Sequence, residues 1–286
     1  MPAPTPELVE HYRLRLRRGV RRLVTGSSAP SVRVSAEGTE PSLFGPESVT
    51  WRVHADASMF IGSLRALLLQ TLHPPTMQGV ADHSDYKHDS LGRLRRITTF
   101  VGTTTYAPAS QARQAIEVVR IIHDRVTGTL PDGTPYRAND PHLLAWVHAT
   151  EVDSFLRAYR RYGTPAITDE EADRYVGEMA EVARLLGVIE PPGDRATLRA
   201  TLARYRPELK VTPAARDAVR FLVWPPFPRR MRPIYSVIAG AAVGLLPGHA
   251  QRMLWLPLPI GVEPFVVRPA ATALTRTLDW ALQPAQ

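Results

Sequence analysis

The sequence predicts an all-α protein, a single helical domain of about eight to ten helices joined by proline-rich loops. Three observations carry that reading. Apolar residues recur at three- and four-residue steps in nearly every long window. The 27 prolines fall at the ends of those windows and are not gathered in one linker. No convincing alternation of apolar and polar residues runs beyond about five residues, and neither an internal repeat nor a heptad seam is present.

Taken in order, Pro6-Glu7 opens an amphipathic helix to Leu23, with Leu8, Tyr12, Leu16, Val20 and Leu23 on one face. Residues 25–50, rich in Gly, Ser and Pro, read as a long loop, so 1–50 is an N-terminal helix and loop of the same domain whose main body is 51–286. Met59 to Leu72 is apolar nearly all round, the mark of a buried helix. His73-Pro74-Pro75 ends it, because a residue before proline avoids the helical region. Further helices are predicted over 91–105, 110–127, 141–162, 169–186, 195–204, 213–223, 233–246 and 269–282. Asp140 is a natural N-cap before Pro141, and Thr168 with Glu171 makes a capping box. Pro131-Asp132-Gly133, Pro191-Pro192-Gly193 and Trp224-Pro225-Pro226 are turns.

Composition then excludes whole classes. The chain has 286 residues, 44% hydrophobic and 22% charged, which is globular. With no cysteine, disulfides, thiolate metal sites and cysteine nucleophiles are out. No apolar core and cleavage site follow the N-terminal arginines, and the longest apolar run, Ile234 to Leu246, falls short of the roughly 20 residues needed to span a bilayer. The expectation is a cytoplasmic protein, with room for peripheral membrane contact. The net charge of +8 comes almost wholly from arginine, Lys87 and Lys210 being the only lysines. Only residues 13–22 approach a basic face, and a solvated helix accounts for them, so no nucleic-acid partner is expected.

Four places could carry chemistry. On the 110–127 helix, Ala112, Ala115, Ile116, Val119, Ile122 and Val126 form an inward stripe that includes His123, with Arg120 on its flank. Such a pair can hold an iron porphyrin, imidazole on iron and guanidinium on a propionate; the alternative is a core histidine bonded to a carbonyl. On the 141–162 helix, Glu151 sits in the apolar arc, one turn from His148. It is either a carboxyl of raised pKa suited to proton transfer or half of a bridge to His148 or an arginine. On the 91–105 helix, Leu91, Leu94, Ile97, Thr98 and Val101 face inward, Arg93 borders that face and Arg95 points away. Arg93 and Thr98 could donate hydrogen bonds to dioxygen or substrate, whereas a plain surface arginine would pair with Asp89. Pooling His83, His88, His123 and His148 as a di-iron carboxylate site fails, because only a reversed His148-x-x-Glu151 is present. Nucleotide-binding and nucleophile-elbow motifs are also absent.

Together these strings resemble one family. Leu69-Gln70-Thr71-Leu72-His73-Pro74, Asp82-His83-Ser84, Gly92-Arg93-Leu94, Arg120 to His123, Asp140-Pro141 and Trp146-Val147-His148 stand in the order of the MpaB-type and rubber-oxygenase (latex clearing protein) catalytic domain, from about Val53 to Pro247. The resemblance implies an all-helical fold enclosing a heme b pocket, and an oxygenase using dioxygen on an apolar small molecule. It implies His123 as the iron ligand with Arg120 beside it, and Arg93 as the distal arginine; Thr98 and His83 are further distal candidates, and Glu151 is a proton-transfer candidate. The family's threonine position falls on Ile97 here, beside Thr98, and the rubber oxygenases' distal lysine falls on Arg96. Their glutamate has no counterpart near Met77-Gln78, so the polyisoprene substrate does not carry over. The alternatives are a heme-binding protein or peroxidase without oxygenase activity, and a cofactor-free helical binding protein.

Overall fold

The structure, a computed structural model, describes residues 40–87 and 89–282 together with 10, 13–15, 17 and 18. Most of the predicted 7–23 helix and of the 25–50 loop lies outside the described residues. Where that helix is described, Arg13 is not solvated: its guanidinium lies 5.6 Å from the Trp280 ring and its Nε donates to the Trp280 carbonyl.

Among the described residues the chain forms α1 (Val49–Ala55), α2 (Met59–Gln70), α3 (Pro74–His83), α4 (Ser90–Tyr106) and α5 (Ala109–Asp124). A hairpin of β1 (Thr127–Thr129) and β2 (Pro135–Arg137) follows. Then come α6 (Pro141–Tyr162), α7 (Asp169–Leu186), α8 (Arg195–Arg204), a 3₁₀ turn (Arg206–Glu208) and α9 (Pro213–Val223). The chain ends in α10 (Arg232–Gly244), α11 (Gly248–Met253), a π-helical turn (Glu263–Val267) and α12 (Arg268–Leu282). The all-α expectation holds. Three short helices, α1, α3 and α11, were not predicted, and the predicted 110–127 helix stops at Asp124.

The reason for that stop is local. Val126 and Ala138 close the base of an antiparallel hairpin whose register sets Gly128 against Tyr136. A side chain at Gly128 would meet the Tyr136 hydroxyl, so the strand needs glycine there. The turn is closed by Gly133 at φ +88°, a left-handed conformation that glycine adopts without strain.

α6 is the central helix. Asp140 caps it by accepting from His142 N–H, and Pro141 fills its first position. It packs closely on α2, whose Gly62 lets Phe155 approach: a Cβ there would lie 2.9 Å from the Phe155 ring. One core unites Ile61, Leu64, Leu68, Leu72 and Trp146 with α10; a second unites Val49, Val53, Val152, Phe155, Tyr175 and Val176 across α1, α6 and α7. Thr168 and Glu171 form the predicted capping box of α7. Arg65 of α2 is buried within this packing. It is held by Asp153 at 2.8 Å, Ser154 Oγ at 2.6 Å and the Leu245 carbonyl. No described helix is long and apolar enough to cross a membrane.

Candidate functional site

α4 and α5 form a helical hairpin with only Ala107 and Pro108 between them. At 1.5 Å per residue, Arg93 and His123 each lie roughly 20 Å from that turn along their own helices. The stripe on α5 is inward at Ala112 and Ile116, both buried, but not at Ile122, which is 54% exposed. α5 leaves the core in its last turns, and its apolar periodicity continues past the point where anything covers it.

His123 remains half-buried, and its Nδ1 is sealed from solvent without a hydrogen-bond partner. Asn139 Oδ1 is orphaned in the same way, while its Nδ2 donates to the Arg120 carbonyl and to Asp124. Burial lowers the His123 pKa, and the adjacent Asn139 side chain opposes this. The two groups thus attract each other without an aligned hydrogen bond. An Nδ1–H donating to Oδ1 would fix the tautomer and leave Nε2 with its lone pair. Arg120 is exposed and pairs with Glu117 at 3.3 Å.

Arg93 does not pair with Asp89, which instead caps α4 and meets Arg96 at 3.2 Å. Its Nη1 donates to Ser84 Oγ at 3.0 Å, and no carboxylate lies within ion-pair distance among the described residues. Burial, with Arg96 nearby, lowers its pKa. Arg95 does not point away as the periodicity suggests: it is half-buried with an orphaned Nε. Thr98 Oγ1 donates to the Arg95 carbonyl of its own helix. His83 is exposed, and its Nε2 donates to the Thr127 carbonyl at 3.0 Å, tying α3 to the hairpin. No hydrogen bond or ion pair among the described residues joins His123 to Arg93, Thr98, His83 or Glu151.

Among the described residues Glu151 forms no bridge. Neither His148 nor an arginine pairs with it, and His148 Nε2 is itself buried without a partner. Burial pushes the Glu151 carboxyl up to about 7 and the His148 imidazole down to about 4. Glu151 keeps part of its side chain accessible, although the protein around it is dense enough to raise its carboxyl. Its charge also raises the Tyr175 hydroxyl, whose shift is mainly due to burial.

Tyr175 leads to a relay that sequence reading missed. Thr105 Oγ1 donates to the Val101 carbonyl at 2.7 Å, so it accepts from His54 Nδ1–H at 2.8 Å. His54 Nε2 then accepts from the Tyr175 hydroxyl at 3.1 Å. Burial holds His54 neutral, its pKa lowered to about 3. On α4, Thr98, Gly102 and Thr105 share a face at four- and three-residue steps. A Cβ built at Gly102 would meet nothing within 4 Å, so the helix is open at that position, one turn from the buried Thr105.

A further cluster, also unpredicted, lies where α2 meets α3. His73 Nε2 approaches Glu208 Oε2 at 3.4 Å and His142 Nε2 approaches the same oxygen at 2.7 Å. Surface cavities of about 600 and 310 Å³ are lined, respectively, by residues including Trp224, Leu254 and Trp255 and by residues including Arg157, Arg195 and Leu198. None of the sequence-predicted site residues lines either one.

The residues present fit a heme ligand set in one respect. A half-buried histidine has an outer partner positioned to orient it, beside a helix that carries a guanidinium without a carboxylate. In comparisons with known proteins, no curated protein and no solved structure matches. A family profile does match, over residues 51–279, and the chain belongs to that family: the ER-bound oxygenase mpaB/B'/rubber oxygenase catalytic domain.

Proposed function

We propose that this chain is a heme b-dependent oxygenase that uses dioxygen on an apolar small molecule. The observation that carries the reading is the orphaned pair of His123 Nδ1 and Asn139 Oδ1. A buried imidazole with an acceptor beside one nitrogen is arranged to offer the other to a metal. Bound heme would supply the iron centre at which dioxygen is activated, with chemistry set by the polarity of the pocket around it.

The chain's own groups divide the remaining tasks. His123 would hold the iron through Nε2, with Asn139 orienting the ring. Arg120 stands one turn away, where its guanidinium can exchange Glu117 for a propionate. Arg93 keeps a half-buried positive charge with no carboxylate partner among the described residues, suited to a polar or anionic oxygen group. Glu151 carries a carboxyl that is partly protonated near neutral pH and can give or take a proton. Thr98 and His83 remain distal candidates, their hydrogen bonds to carbonyls being the contacts they would have to exchange. Polyisoprene is not the proposed substrate. Arg96, at the position of the rubber oxygenases' lysine, is exposed and paired with Asp89. Met77 is buried in an apolar cluster and Gln78 is bonded to Asp82. A cytoplasmic location also stays a proposal, to be checked by cell fractionation.

Hemin titration followed in the Soret region tests the reading. Wild type should take up one heme per chain, and His123→Ala should lose it while keeping its helical circular dichroism. A His123→Ala protein with wild-type stoichiometry and spectrum would refute the ligand assignment and turn attention to His148, whose Nε2 is also unpartnered. Oxygen uptake with apolar substrates then separates an oxygenase from a heme carrier.

A further inference from the structure

We infer that His73, His142 and Glu208 form a site for a divalent transition-metal ion, best matched by Zn²⁺, separate from the residues assigned to heme. The three ligating atoms all lie within 4.8 Å of one another. Around an ion bound tetrahedrally at 2.0–2.1 Å, ligand atoms stand about 3.3 Å apart. The His73–Glu208 separation is 3.4 Å, already at that length and long for a hydrogen bond. The His142–Glu208 separation of 2.7 Å opens to it by a shift of well under an ångström, and both side chains are half-exposed.

The surroundings are those of a built site. His73 is 1% exposed, at the floor of the cluster, and its Nδ1 is held by Thr76 Oγ1 at 2.8 Å, which aims Nε2 at Glu208. Such an outer partner fixes tautomer and ring orientation in histidine–metal sites. The His142 ring rests on Tyr205 at 4.5 Å between centroids, and the Tyr205 hydroxyl donates to the His142 carbonyl at 2.7 Å. Two neutral imidazoles and one carboxylate are a borderline-soft donor set that suits Zn²⁺. The open side, where His142 and Glu208 reach solvent, leaves the fourth position to water. An ion there would tie the α2–α3 junction to the start of α6 and to the 3₁₀ turn after α8.

The test is isothermal titration of the full chain with zinc chloride, paired with thermal melts. Wild type should bind one Zn²⁺ per chain and melt higher with it. His142→Ala and Glu208→Gln should each weaken binding by more than about tenfold, since loss of an outer partner alone costs roughly 10–100-fold. Thr76→Val should fall in that outer range. His249→Ala and His123→Ala should bind zinc as wild type does, which separates this site from the heme ligand. Glu208→Gln keeps the size and a hydrogen-bonding end of the side chain, so it reads the site even if the histidine variant folds poorly. Absence of saturable one-to-one binding, or wild-type affinity in Glu208→Gln, would overturn the assignment.

Discussion

Replacing Glu151 by glutamine should make the protein more stable, but only above mildly acidic pH. Burial raises the Glu151 carboxyl from an ordinary 4.5 to about 7, with no partner to offset it. Between those values the folded state binds more protons than the unfolded one, so stability falls as pH rises, by up to about 1.4 kcal/mol per unit. The raised pKa thus leaves stability intact below about pH 4 and removes about 3 kcal/mol by pH 8. Glutamine cannot ionise. The variant should therefore match wild type to within about 0.5 kcal/mol at pH 4 and exceed it by about 3 kcal/mol at pH 8. His54 and His148, with folded pKa values depressed to about 3 and about 4, lose stability in the opposite direction as pH falls below the usual histidine range. They do so equally in both proteins and cancel in the difference. Urea unfolding at half-unit pH steps reads that difference. Parallel curves for the two proteins would show that Glu151 is ionised and paired in the folded state, and would remove it as a proton-transfer group.

Three further outcomes are expected. Arg65→Ala should lower unfolding free energy by about 3–5 kcal/mol in urea melts, because it strips Asp153 of its buried partner; a loss below about 1 kcal/mol would mean that Arg157 suffices. Gly62→Ala should cost about 1–3 kcal/mol, since its Cβ would press on Phe155 and on the Ser154 carbonyl, and a neutral melt would contradict the close α2–α6 packing. Gly102→Ala, meeting nothing within 4 Å, should raise stability by about 0.5–1 kcal/mol through helix propensity while weakening hemin uptake; unchanged uptake would place the heme away from that face of α4.

The helices that the sequence placed to the residue are those with strong ends. Asp140-Pro141, Thr168 with Glu171, Asp194 before Arg195 and Thr212-Pro213 supply an oxygen acceptor or a proline at the first turn, and the four helices they open run as predicted. α5 has no such stop. Its stripe reads on through Ile122 and Val126, because periodicity reports what a helix could bury and not where its neighbours end. Pro74-Pro75 was legible as the end of α2, yet it also opens α3, since proline at the first helical position serves as well as a terminator. The candidate residues divide likewise. His123, His148 and Glu151 stand out within single helices. The His54–Tyr175 relay and the His73–His142–Glu208 cluster join segments far apart in the chain, and no spacing encodes them. His73 carried one signal, a histidine just before a helix-opening proline pair, whose ring is fixed at a junction.

α6 itself supplies an argument about which buried carboxyl has work to do. Asp153 and Glu151 are two residues apart, about 200° around the helix, and so face different neighbours. Asp153 looks toward α2, where Arg65 reaches it at 2.8 Å, while Arg157, one turn on along α6 itself, meets it at 2.8 Å, and its charge is fully answered. This chain therefore has the means to compensate a buried acid, and an arginine-rich composition from which to draw it. Glu151 is close enough to raise the Tyr175 hydroxyl and receives no partner among the described residues, at a cost near 3 kcal/mol at neutral pH. A burden of that size, left standing beside an answered neighbour, is the pattern of a group kept for its proton and not for the fold. The same contrast separates Arg65, buried and locked to a carboxylate, from Arg93, half-buried and met among the described residues by a serine hydroxyl. On the proposed reading, the carboxyl of Glu151 on α6 and the guanidinium of Arg93 on α4 are the two ionisable groups left for a bound molecule to answer.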